Sequence, residues 1–299
     1  GESSGLEFNS PAHGNWNIVH TGMLLPEAIQ IYVCADNCMR GVVLTAAEMN
    51  AADRFSFVIV EEEDLLNGNL EDVTIEGVTD VLRKRKDHPK AVLLFTVCLH
   101  HFLGCDLERV YEELEARFPE IFFIRCYMDP IMQKHGLTPD QKLRKSIYDA
   151  LPERNAGKSD SERSVTILGS DFALDETSDI RHLLKWKHIE VKELPECNSW
   201  KSYQELADSK IFIACYPPGK YGLECQAERL RKKALYLPGS FDYDEIIRQW
   251  KTLEQAVGEN VEEVEGIEDT DMHMEKSLER ITKREIALCE SALEQARKV

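Results

Sequence analysis

The sequence predicts an α/β fold: repeated Rossmann-like domains with mostly parallel sheets, ending in a long C-terminal helix. Three observations carry this expectation. From about Phe55 onward, short β-branched or apolar runs alternate with longer segments of helical period. The run Ala91 to Val97 is continuous rather than alternating, as in a parallel strand covered on both faces. The alternation then restarts after Asn155-Ala156-Gly157-Lys158-Ser159-Asp160-Ser161, a polar, small-residue stretch that reads as a linker.

Taken in order, Ile29 to Val33 is an apolar run, and Phe57 to Val60 reads as a buried strand stopped by Glu61-Glu62-Glu63-Asp64. Val73, Val78, Val81 and Leu82 share roughly one face of a helix. The strand Ala91 to Val97 precedes a helix over Gly104 to Phe118, with Leu107, Val110, Tyr111 and Leu114 at helical spacing. Ile121 to Ile124 is the next strand, and Thr138-Pro139-Asp140 opens a helix toward Leu151. Beyond the linker, strands are expected at Val165 to Leu168, Ile189 to Val191, Ile211 to Ala214 and Ala234 to Leu237. Helices through Leu183, from Ser199 and through Leu230 separate them, leaving room for right-handed crossovers. The expected domains are 1–152, 163–250, and a C-terminal part, 253–299. That last part holds an acidic segment from Glu262 to Asp271 and one long helix from Glu275 to Val299.

Composition narrows the function. The chain has 299 residues, of which 54 are acidic and 36 basic, for a net charge of −18. Such a charge disfavours nucleic acid and anionic membranes as partners. The longest apolar stretch, Ala91 to Leu99, is far short of the roughly 20 residues a bilayer span needs. Nine cysteines form an odd set, and Gly1 to Gly5 lacks the apolar core of a secretory signal. Thiols in a reducing cytoplasm, free for metal or cofactor, are the resulting expectation. The Gly/Ser start without Met and the helix running off the end read as trimmed termini.

Two clusters carry candidate chemistry. Cys34-Ala35-Asp36-Asn37-Cys38 follows the first apolar run, and thiolates four apart at a strand-to-helix turn can converge on a soft metal. Two small buried residues in a turn would look the same. Cys98-Leu99-His100-His101-Phe102-Leu103-Gly104-Cys105-Asp106 follows the buried strand directly, where open α/β sheets collect ligands. It reads as a loop dense in soft and borderline donors, although adjacent exposed histidines are also common. Cys126, Cys197, Cys215, Cys225 and Cys289 rank lower. The segment Pro217 to Gly222 reads as a tight turn, and Val165 to Ser170 lacks the glycine pattern of a dinucleotide site.

At these residues the chain resembles the nitrogenase component 1-type oxidoreductases. This family includes the nitrogenase α and β subunits, their cofactor-assembly scaffolds and the dark-operative protochlorophyllide reductase. Leu25 to Cys38 is similar to the family stretch ending in a cluster-ligand loop, with Cys38 on the ligand position. Glu61 to Gly68 resembles the family's acidic segment and glycine turn. Phe95 to Cys98, with Cys105-Asp106-Leu107-Glu108, resembles a strand and ligand motif that puts Cys98 on a second ligand position. Ile167-Leu168-Gly169 and Leu235-Tyr236-Leu237-Pro238 match family strands loosely.

The resemblance departs at three places. Asn15 to Ile18 holds no counterpart of the earliest cluster cysteine, Leu99 replaces a proline, and Cys34 and Cys105 are extra thiols. The resemblance implies a [4Fe–4S] or larger cluster on Cys34, Cys38, Cys98 and Cys105, or a cluster shared across a dimer interface. It places Asp36, His100 and His101 beside that cofactor. It further implies a nitrogenase iron-protein-like ATPase as electron donor, a homodimer or a heterodimer with a paralogue, and a third domain missing here. Two readings compete with this reductase: a non-catalytic scaffold for metal-cofactor assembly, and a metal-free α/β small-molecule binding protein.

Overall fold

The computed structural model describes residues 15–128, 136–154, 163–258 and 287. The linker around Asn155 to Ser161, the acidic segment 262–271 and the C-terminal helix 275–299 therefore lie outside the described residues. Two compact units divide the chain, 1–256 and 257–299, and all the strands among the described residues belong to the first.

Two four-stranded, all-parallel sheets with flanking helices form this unit, so the predicted α/β, Rossmann-like fold is the observed one. The first sheet contains β1 (Ala28–Cys34), β2 (Phe55–Ile59), β3 (Ala91–Val97) and β4 (Phe122–Met128), in the order β2-β1-β3-β4. Its helices are α1 (Asn15–Gly22), α2 (Asp36–Glu48), α3 (Glu62–Leu66), α4 (Leu70–Lys84), α5 (Cys98–Phe102), α6 (Leu107–Arg117) and α7 (Pro139–Ser146). The second sheet contains β5 (Ser164–Ile167), β6 (Glu190–Glu193), β7 (Ile211–Ala214) and β8 (Lys233–Tyr236), in the order β6-β5-β7-β8. With it come α8 (Asp179–Trp186), α9 (Trp200–Glu205), α10 (Lys220–Leu230) and α11 (Tyr243–Gly258).

Strand parity sorts the first core. On β1, the odd residues Ile29, Ile31 and Val33 pack with Val78, Leu82 and Val110 of α4 and α6. The even residues Ala28, Tyr32 and Cys34 face the opposite layer, with Ile18, Val42, Leu143 and Tyr148. There the Tyr32 ring stacks on Phe95 at 4.4 Å. This second cluster continues into the other sheet through Leu206, Phe212 and Leu223, so one apolar core serves both sheets.

Helix α7 makes the polar part of that junction. Arg144 is 1% exposed. Its Nη1 donates to the Gly169 carbonyl at 2.9 Å and to Asp171 at 2.8 Å, and its Nη2 donates to the other Asp171 oxygen at 2.9 Å. Its Nε donates to Asp140 at 3.0 Å, and its guanidinium lies 4.8 Å from the Tyr216 ring centre. From α1, Thr21 donates a further bond to Asp171 at 2.9 Å. The loops after β5 and β7 meet at two glycines. Gly169 holds φ +88°, and a Cβ there would lie 2.5 Å from the Cα of Gly219.

Two local differences from the sequence expectation concern the region of interest. The segment expected as a loop after β3 begins with the helical turn α5, because His100 reaches back to accept the Val97 N–H at 3.3 Å. The acidic run after β2 does not merely stop a strand. It forms α3, where Glu61 N–H donates to Asp64 at 3.0 Å.

Candidate functional site

Strand order fixes where a site belongs. After β1 the chain moves to β2 on one side, and then to β3 on the other, so the order reverses between β1 and β3. Ligands of open α/β sheets collect in the crevice beyond the carboxyl ends at such a reversal. Val33 pairs with Thr96 in register, so Cys34 ends β1 next to where Cys98 opens α5. Both sequence clusters thus flank one switch point, with Cys38 in the first turn of α2 and Cys98 at the first position of α5. The side chains of Cys38 and Cys98 lie outside the described ones.

The other named residues divide by environment. Cys34 is 2% exposed and packs with the Tyr32 layer, whereas Cys105 packs with the α4 and α6 layer on the opposite face of the sheet. Burial pushes the Cys105 thiol up to about 12, and the neighbouring Glu71 and Asp106 carboxylates push the same way. Asp36 and His101 are exposed, and the His101 ring meets Phe102 edge-on at 6.3 Å. Among the described residues, no group of three or more His, Cys, Asp or Glu side chains could hold a metal ion.

His100 is 1% exposed and has both ring nitrogens engaged. Thr74 donates its hydroxyl to the Leu70 carbonyl at 2.7 Å, so at 3.2 Å from His100 it accepts from Nε2–H, while Nδ1 accepts from Val97. Burial pushes this imidazole down to about 4, and it is neutral near pH 7. Its observed contribution is to pin the turn that carries Cys98 onto α4. The sequence resemblance implies His100 beside an expected cofactor, but no local pattern links it to Thr74, 26 residues away.

A second concavity lies at the carboxyl end of the other sheet. Cys215, just beyond β7, lines a cavity of about 300 Å³ together with residues from the β5 and β8 loops and from α8 and α11. Burial pushes the Cys215 thiol from 9.0 up to about 11. The thiolate is the reactive form, and its scarcity outweighs the greater nucleophilicity of a high-pKa thiolate, so Cys215 should alkylate about tenfold more slowly at pH 8 than a thiol titrating at 9. Iodoacetamide labelling read by peptide mass spectrometry checks this. Labelling at the rate of an exposed peptide cysteine would contradict it.

No family model matches the sequence, and no curated protein matches it. Among solved structures, the chain is similar to two described as "Nitrogenase Cp1 at pH 5" and "Nitrogenase Cp1 at pH 6.5". Each shows a TM-score of 0.57 at 13% identity and covers 91% of this chain. The match takes in 55% and 53% of those chains, so this chain spans about half the length of the proteins it resembles. At that identity the likeness shows a nitrogenase-like fold. No helix among the described residues is long and apolar enough to cross a membrane.

Proposed function

We propose that this chain is the iron–sulfur component of a nitrogenase-like oxidoreductase. In this reading it accepts low-potential electrons from an ATP-dependent, iron-protein-like reductase and passes them to a substrate or metallocofactor. The observation that carries the reading is the convergence of the Cys34–Cys38 and Cys98–Cys105 segments on one switch point, within a fold like that of nitrogenase.

The donor chemistry fits an iron–sulfur group in part. Thiolates are the ordinary ligands of such clusters, which when bound supply one-electron transfer at low potential. Cys38 and Cys98, the two matched positions, would hold the iron from adjacent strand ends. Cys34 and Cys105 lie in opposite layers, which favours a cluster completed by thiolates of a second chain over four ligands from one. Exposed Leu66, Phe102 and Leu103, at 81%, 60% and 53%, provide apolar surface at the ends of α3 and α5 for such a partner. His100 would fix the Cys98 turn. The solvent-facing Asp36 and His101 would offer polar groups at the rim.

Electron delivery tests the proposal. The anaerobically prepared protein is mixed with a nitrogenase-type iron protein and followed by its visible absorption. Bleaching that requires MgATP is the expected result. A cluster that dithionite reduces but the iron protein with MgATP does not would count against the reductase and point to a cofactor-assembly scaffold.

A further inference from the structure

The cavity beside Cys215 opens beyond the carboxyl ends of β7 and β8, at the edge of the β5–β7 reversal in the second sheet. Its wall is largely apolar, formed by Leu174, Ile180, Leu237, Ile246, Trp250 and Leu253. An apolar cavity of about 150 Å³ takes a benzene ring, so about 300 Å³ suits a bicyclic molecule.

The polar groups at its edge restrict the chemistry further. Ser178 already accepts the Arg181 N–H at 3.3 Å, and Ser240 accepts the Asp242 N–H at 3.0 Å. Each hydroxyl keeps its own proton to donate, alongside one remaining lone pair. Gln249 is engaged at each end, accepting from Gly239 N–H at 3.1 Å and donating to Glu245 at 3.2 Å, which fixes its amide in place. The carboxylate of Asp179, also in the wall, disfavours an anion. A burial-neutralised thiol at Cys215 adds no charge.

We propose that this cavity binds a small, neutral, bicyclic-sized apolar molecule that presents a carbonyl oxygen to the Ser178 and Ser240 hydroxyls. The site is separate from the cysteine clusters of the first sheet and does not depend on a metal.

The test uses Prodan, a neutral naphthalene ketone whose emission shifts to the blue when it leaves water. Titration of the whole chain should give a saturable, one-to-one blue shift, weakened about tenfold by Ser240→Ala through loss of one hydrogen bond. The anionic dye anilinonaphthalene sulfonate should bind this site at least tenfold more weakly. Cys215→Trp, which fills the cavity, should abolish the shift. Ser240→Trp at the half-buried rim should do the same if the first variant does not fold. Absence of a saturable shift would overturn the proposal. So would unchanged binding in the filled variants, because the dye would then occupy exposed aromatic surface such as Phe172 or Phe241, at 80% and 106% exposure.

Discussion

Arg144→Met should destabilise the folded chain by about 3–5 kcal/mol, the usual effect of removing one partner from a buried charge pair. The arginine is 1% exposed and bonds Asp140, Asp171 and the Gly169 carbonyl. Its loss leaves two carboxylates, about a quarter exposed at 25% and 27%, without their cation. Methionine restores most of the volume, so the effect is chiefly electrostatic rather than a cavity. For a folded unit of this size, the melting temperature should fall by roughly 10 °C. Calorimetry checks this, and a double-mutant cycle with Asp171→Asn should show coupling of about 0.5–3 kcal/mol. A shift under 1 °C would mean that the junction between the sheets rests on apolar packing alone.

The second large effect concerns metal content. On the proposed reading, Cys38→Ala and Cys98→Ala should each remove the cluster signal from anaerobically prepared protein, because each would take away a thiolate ligand. Cys289→Ala, far along the sequence in the segment outside the described residues, should leave it intact. Cys34→Ala and Cys105→Ala distinguish the two forms of the site. If the cluster is completed by a second chain, both variants keep the signal and only the dimer carries it. If either loses it in a folded protein, that cysteine belongs to the ligand set and the shared form is wrong. Equal loss in Cys289→Ala would contradict the assignment altogether.

Much of the fold was legible because it depends on local pattern. The continuous run Ala91 to Val97 is β3 to the residue, and Ile211 to Ala214 is β7. Burial on both faces leaves few polar residues to blur such strands, Thr96 being the one in β3. The position of both cysteine clusters at strand ends was legible for the same reason. What stayed hidden depends on partners distant in sequence. Nothing local links Arg144 to Asp171, 27 residues on. Only the Asp140–Arg144 spacing on α7 hints at an ion pair. The turn α5 looked like a loop because its start is stabilised by His100, a residue that read as a ligand candidate. The split of Cys34 and Cys105 between layers was half legible. Strand parity puts Cys34 with Tyr32, but no periodicity governs a residue following a turn, so the layer of Cys105 could not be read. No element was expected where α11 begins, and that helix runs through the 250–253 boundary between the expected domains.

The most direct test of the central claim is iron and acid-labile sulfide analysis of anaerobically purified protein, together with EPR of the dithionite-reduced sample. The nitrogenase-like reading predicts a brown protein with iron and sulfide in equal amounts and a low-temperature signal from a reduced iron–sulfur cluster. A colourless protein that holds no iron, even after anaerobic reconstitution with iron and sulfide, would contradict it.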